Sequence, residues 1–344
     1  MRITTLISIF YINLKLFFLK IFNPKKIVPY KVLINLTDLC NSRCNFCDIW
    51  KIKPENEINV DNIIKSFDGS EKDIYWLSLS GGEVTLVKYY FELIDRLKKK
   101  LPNLKIVAFT TNCLTPNRVV KYAKYIKDND LDPLITLSLD GDEKLHDEVR
   151  GVKGNYKKCL ETYEMLKNEK ILCHYGITLS NKNYEFVKND YHNYKDTMKA
   201  VTFIHSEGIY NKENSYEDDE KIIKSLKIID KNFKVNKLYE IIEKIHIKLS
   251  IKFLEQKREK NIIPCDVLNS SIHIMQDGAV KPCMFMEEIG NIKENNMLSF
   301  LKKDSTLEIK EKIKKDQCPK CWMNCYSPHS IVQSPIKSFF QAFL

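Results

Sequence analysis

The stretch NLTDLCNSRCNFCDIW, Asn35–Trp50, sets Cys40, Cys44 and Cys47 into eight residues directly after the apolar run VLINL. A short run of Val, Leu and Ile closed by polar residues reads as a buried strand. The three thiols therefore stand where a strand ends and a loop begins. Three is an unusual number, because zinc sites and disulfide frameworks generally take thiols in pairs or fours.

Outward from this stretch, strand-like runs alternate with helical patterns. VLINLT (32–37), IYWLSLS (74–80), IVAFTTN (106–112), LITLSLDG (134–141), HYGITLS (174–180) and AVTFIHSEG (200–208) are the strand candidates, six in all. Segments such as VKYYFELIDRLKKK and NYKKCLETYEMLKNEK between them carry apolar residues at helical spacing. Alternation of this kind predicts an α/β fold with a parallel sheet, a partial (β/α)6 TIM-like barrel, with its chemistry at the strand ends. At 344 residues, 44% apolar and 29% charged, the chain is long enough for one large domain and a smaller one. Four spans are expected: 1–29 an apolar N-terminal helix, 30–233 the barrel, 234–262 a linking helix and 263–344 a small Cys-rich domain. The net charge of +10 comes without a basic motif interleaved with aromatics, so it reads as solvated helix faces, and no nucleic-acid partner is expected.

The strand ends carry a consistent set of polar groups. The second ends in SGGEVT with Gly81, Gly82 and Glu83, and the third in TTNC with Asn112. The fourth ends in SLDG with Ser138 and Asp140, and Arg150 follows in HDEVRG. Soft thiolates suit iron-sulfur chemistry, and three of them hold three irons of a [4Fe-4S] cubane while leaving the fourth open to a ligand. Glycines let that ligand approach the backbone, and Glu83 supplies an acceptor for a cationic amine.

C-x3-C-x2-C at the end of a first strand, followed by GGE at the end of the second, resembles the radical S-adenosylmethionine (radical SAM) enzymes. The resemblance implies that Cys40, Cys44 and Cys47 bind a [4Fe-4S] cluster whose open iron takes the amino and carboxylate groups of SAM. It places Gly81, Gly82 and Glu83 at the SAM ammonium, Phe46 near the adenine, and Asn112, Ser138, Asp140 and Arg150 at the ribose or carboxylate. Cys113 departs from the family, which often has glycine after the third-strand Asn. The implied reaction is one-electron cleavage of SAM to a 5′-deoxyadenosyl radical that abstracts hydrogen from a substrate, with a low-potential donor such as flavodoxin or ferredoxin as partner.

The remaining cysteines suggest a second cluster. Cys265 and Cys283 flank a probable hairpin with the turn QDGA, and CPKCWMNC supplies Cys318, Cys321 and Cys325. This pattern resembles the SPASM or twitch extension of radical SAM enzymes, which carries auxiliary clusters. Five cysteines are too few for two clusters, so one auxiliary [4Fe-4S] is expected on Cys265, Cys283, Cys318 and Cys321, with Cys325 competing as fourth ligand. A structural zinc at the same thiolates is the alternative. Cys159 and Cys173 read as small buried residues. His205 and Glu207 stand where a base would, although a packed rim histidine is the commoner outcome. No catalytic residue is assigned.

Clustered cysteines in an odd count of eleven fit a reducing compartment, hence the cytoplasm. TLISIFYINLKLFFLKIF (5–22) is apolar but broken by Lys15 and Lys20, which favours an interfacial or docking helix over a span. With the apolar tail IKSFFQAFL it inclines the substrate toward something membrane-associated; a peptide, a sugar-like molecule or a lipid precursor all remain open. A non-catalytic iron-sulfur or zinc scaffold and a nucleic-acid-modifying radical enzyme are the competing readings.

Overall fold

The computed structural model describes every residue except 209, 213 and 215–218. Six parallel strands come first: β1 (Lys31–Asn35), β2 (Trp76–Ser80), β3 (Ile106–Thr111), β4 (Asp132–Ser138), β5 (Leu172–Leu179) and β6 (Met198–Phe203). They lie side by side in sequence order, each paired with the next, and among the described residues β6 does not pair back to β1. The result is a partial barrel whose strand C-termini share one rim. All five residues of β1 are buried, as expected for a parallel strand covered on both faces.

Helices α1 (Ile3–Phe22), α2 (Val60–Ser66), α3 (Tyr90–Lys100), α4 (Pro116–Asp128), α5 (Glu143–Arg150), α6 (Asn155–Asn168), α7 (Tyr184–Asp190), α8 (Asp219–Asn232) and α9 (Glu240–Glu255) precede the C-terminal segment. The crossovers α2 to α7 place their apolar sides on the sheet: Leu93, Ile94 and Leu97 of α3 and Val119, Ala123 and Ile126 of α4 are all fully buried. In the expected linking segment, α9 packs on β6 and α8 of the barrel and on two helices of the C-terminal segment.

The C-terminal segment extends the same sheet. Strand β7 (Ser271–Ile274) pairs in parallel with the free side of β1, and β8 (Ala279–Lys281) and β9 (Gly290–Asn291) follow antiparallel. The turn between β7 and β8 closes through Gly278 at φ +93°, a conformation that glycine adopts without strain. Four helices complete the chain: α10 (Met297–Leu301), α11 (Asp304–Lys314), α12 (Ser327–Gln333) and α13 (Pro335–Phe343).

Helix α1 lies at the base, opposite the rim. Ile12 and Leu16 form a small separate core with Ile27, Tyr30 and Tyr75, which lead into β1 and β2. Lys15 pairs with Asp73 just before β2 at 3.2 Å, Arg2 pairs with Asp132 at the start of β4, and Lys20 pairs with Asp266 ahead of β7.

Candidate active site

The loop bearing Cys40, Cys44 and Cys47 is held on three sides. At its start, Glu57 accepts from the Thr37 hydroxyl at 2.8 Å and the Asp38 N–H at 2.7 Å. In the middle, Arg43 N–H and the Ser42 hydroxyl donate to the Arg150 carbonyl at 2.9 and 3.0 Å, and Asn45 N–H donates to Val149 at 3.0 Å. Those carbonyls end α5, where a helix has no partners of its own, so the loop satisfies the helix C-terminus. On the third side, Asn211 N–H and the Asn214 amide both donate to the Phe46 carbonyl at 3.1 Å, and Cys47 bridges Tyr210 in the segment after β6.

Gly81 and Gly82 pass directly against this loop. A Cβ on Gly81 would lie 2.3 Å from the Thr37 carbonyl oxygen and one on Gly82 2.2 Å from that of Leu39. Gly82 N–H donates to Thr37 at 2.7 Å and Glu83 N–H to Leu39 at 2.8 Å. The sequence reading has the glycines admitting a ligand; what they admit here is the backbone leading to Cys40.

Glu83 is buried and fastens the second strand end to the third. Its Oε1 accepts from Thr85 N–H at 3.2 Å, the Thr85 hydroxyl at 2.8 Å and the Thr111 hydroxyl at 2.9 Å, while Oε2 accepts from Asn112 N–H at 2.8 Å. Burial pushes its carboxyl above the usual range and these bonds pull it back. Oε1 is saturated, and Oε2 retains an open lone pair. Asn112 reaches back, its amide donating to Asn41 at 2.8 Å, and Cys113 beside it sits at φ +63°, the region in which glycine is at ease. Cys113 is fully buried and packs as core.

Asp140 has no exposure at all. It accepts from Thr178 N–H at 2.8 Å and from two nitrogens of Arg150 at 2.6 Å each. Both oxygens thus take part in bonds within the fold, and through Oδ2 Asp140 aims Arg150. The guanidinium lies 3.6 Å from Cys44 Sγ and 5.3 Å from the Phe46 ring centre. Burial opposes its charge, but Asp140 and Cys44 outweigh that and hold its pKa above the ordinary value. Ser138, nearly buried, stands on the same rim.

The second thiol group is equally defined. Cys265, Cys283, Cys318 and Cys321 line one small cavity, together with Asn261 and Tyr326. Cys325 lies outside that cavity and is exposed. The Tyr326 hydroxyl meets His273 Nδ1 at 2.7 Å, and His273 Nε2 meets Asn35 Oδ1 at 3.0 Å, so one hydrogen-bonded chain runs from the cavity to the end of β1. Tyr210 stands between the two groups: burial, and then the sulfurs of Cys325, Cys47 and Cys321, raise its hydroxyl pKa.

All eleven cysteines are free. Burial raises the thiols of Cys47 and Cys265 to about 12 and that of Cys283 to about 11. Sulfurs buried together and held protonated by desolvation are the donor set that a cationic iron-sulfur core would deprotonate and bind. Among the described residues no three His, Cys, Asp or Glu side chains converge on one point as a single ion would require.

The model of the radical SAM superfamily matches residues 34–189, and that of the SPASM iron-sulfur cluster-binding domain matches residues 265–326. Residues 34–189 thus carry a radical SAM domain and residues 265–326 a SPASM domain. Among curated relatives, the sporulation killing factor maturation protein SkfB of Bacillus subtilis is 23% identical over 85% of this chain and 69% of its own length. The solved structure of anSMEcpe with bound AdoMet superposes with a TM-score of 0.61 at 20% identity, over 92% of this chain and 97% of that one. Streptococcus suis SuiB bound to precursor peptide SuiA gives 0.57 at 18% identity, over 83% of this chain and 67% of that one. These likenesses establish the fold of a radical SAM protein with a SPASM domain.

His205 does not form a poised base. It is buried against Phe203, Tyr210 and Phe285, its Nε2 has no partner among the described residues, and burial lowers its pKa to about 3. Thr85, Thr111, Tyr210 and His273 were not singled out by sequence. Thr85 stands inside the GGEVT motif and could have been found as its last residue; Tyr210 and His273 carry no local signal.

Proposed function

We propose that this radical SAM enzyme modifies a peptide in the cytoplasm, taking electrons from a low-potential donor such as a flavodoxin or ferredoxin. Cys40, Cys44 and Cys47 would hold the SAM-binding [4Fe-4S] cluster, and Cys265, Cys283, Cys318 and Cys321 the auxiliary one. With SAM bound, the first cluster supplies a 5′-deoxyadenosyl radical by one-electron cleavage, and that radical abstracts a substrate hydrogen. The chain's residues position and shield. Glu83 Oε2 offers the open acceptor for an ammonium, Asp140 holds Arg150 beside Cys44, and Phe46 covers one side of the thiol loop. The observation that carries the reading is the pair of thiol groups, an open triad on the rim and a closed four-thiol cavity, with Tyr210 between them.

A peptide substrate is supported by the SkfB and SuiB likenesses, one a maturation protein by name and the other solved with a precursor peptide. The positive net charge of +10 suits an acidic electron donor. The apolar outer side of α1 supports a protein that works in contact with a membrane. The test is anaerobic turnover with SAM and deuterated peptides encoded beside its gene, with 5′-deoxyadenosine examined by mass spectrometry. Deuterium in that product and a matching mass change in the peptide support the reading. Fully protonated 5′-deoxyadenosine with every such peptide, despite active SAM cleavage, overturns it.

A further inference from the structure

Two helices from opposite ends of the chain carry large apolar side chains with nothing over them. On α1, Ile7, Phe10, Phe18 and Phe22 are well exposed, Phe22 to 77%. On α13 the same holds for Ile336, Phe339 and Phe340. Patches of this kind on a soluble fold mark an interaction surface. The helices are linked through α12: the Gln333 amide, at the end of α12, donates to Asn13 Oδ1 in the middle of α1 at 2.8 Å, and α13 begins two residues later.

The two segments carry no acid of their own, although Asp73, Asp130, Asp132 and Asp266 of the barrel base meet the cations of α1. Residues 1–37 and 326–344 contain no Asp or Glu, and Lys25, Lys26 and Lys337 are exposed. Arg2, Lys15 and Lys20, spread along the whole of α1, are tied to carboxylates at the strand N-termini. A helix fastened along its length lies across the base and does not stand free to cross a bilayer. Apolar side chains flanked by the exposed Lys25, Lys26 and Lys337 suit an anionic lipid surface.

We infer that α1 and α13 form one lipid-docking face on the base of the barrel, turning the cysteine-bearing rim toward the aqueous phase, so that substrate arrives from solution. The last clause rests on the rim being the active site. Of the expected membrane-associated substrate or partner it keeps the partner, the lipid surface, and not the substrate, because parallel strands put base and rim at opposite ends.

The experiment uses the reconstituted full chain with vesicles of phosphatidylcholine, with and without phosphatidylglycerol, measured by co-sedimentation and by hydrogen exchange of the bound protein. Wild type should sediment with the anionic vesicles and show protection in α1 and α13 but not in the 40–47 loop. Phe10→Ser/Phe18→Ser and Phe339→Ser/Phe340→Ser should each lower partitioning tenfold or more. Lys25→Gln/Lys26→Gln should lower it about twenty- to thirtyfold on anionic vesicles only, at roughly one kcal/mol for each lysine. No sedimentation of wild type, undiminished binding by the α13 pair, or protection of the 40–47 loop would each overturn the inference. So would a dimer in light scattering that these pairs abolish without any vesicle binding, since the occupant would then be a second copy. Substrate-free SAM cleavage, measured on the same samples, separates this outcome from the proposed chemistry: its loss with docking intact would sink the enzyme reading alone.

Discussion

Replacing Gly82 with alanine should disable the thiol loop without touching a thiol. The new Cβ would stand 2.2 Å from the Leu39 carbonyl oxygen and 2.6 Å from its carbon, both backbone atoms. Ordinary contact starts at 3.4 Å, so the two chains must part by about 1.2 Å. Overpacking of this kind costs about 1–3 kcal/mol. The bonds from Gly82 to Thr37 and Glu83 to Leu39 would stretch, at about 1 kcal/mol each. Lower unfolded-chain entropy returns at most about 1 kcal/mol. The net loss is therefore about 2–4 kcal/mol, and the displacement falls on Leu39, next to Cys40. A misplacement near 1 Å costs on the order of a hundredfold in rate. The assay is 5′-deoxyadenosine formation by the dithionite-reduced, reconstituted protein, with a urea midpoint on the same sample. Gly154→Ala is the control: φ +79° strains alanine, but nothing lies within 4 Å, so stability should fall slightly and SAM cleavage should hold. Wild-type cleavage and stability in Gly82→Ala would refute the close-approach argument.

Arg150→Met should destabilise by about 3–5 kcal/mol in urea, because it leaves the fully buried Asp140 charge alone; adding Asp140→Asn should recover much of that, and failure to do so would show that the pair is not coupled. Cys318→Ser should remove the auxiliary cluster's iron, whereas Cys325→Ser, outside the four-thiol cavity, should keep it; equal iron loss in both would make Cys325 a ligand. Burial lowers the pKa of His146 and His246 to about 4 and of His205 and His273 to about 3, from an ordinary 6.5. The unfolded chain then takes up protons first, so this stability is complete above pH 6.5 and is lost as pH falls toward those folded values. The loss is about 1.4 kcal/mol for each histidine and pH unit, and His246→Gln should flatten the acid side of the urea-midpoint profile; an unchanged slope would contradict it.

Much of the site was legible because strand periodicity and short motifs are local. The six parallel strands, the grouping of the cysteine triad and the GGE turn follow from residues close together in the chain. Pairings across long separations were not legible. Nothing in SIHI tells that β7 will join the open side of β1 and continue the barrel's sheet. Asp140 read as a ligand contact because its burial depends on Arg150 and Thr178, which come later in the chain. His205 read as a candidate base because its position at a strand end was visible and its aromatic surroundings were not. The positive φ at Cys113 accounts for the glycine often found there in the family, a backbone requirement that the sequence does not display.

The central claim is two thiol sites with different tasks. It is tested most directly by reconstituting wild type and a Cys40/Cys44/Cys47→Ala variant anaerobically, and recording Mössbauer spectra, metal content and 5′-deoxyadenosine formation with SAM. Two cubanes in wild type, one in the variant, and cleavage only in wild type is the predicted result. Zinc in place of the second cubane, a variant with no cluster left, or no SAM cleavage by fully reduced wild type would contradict it.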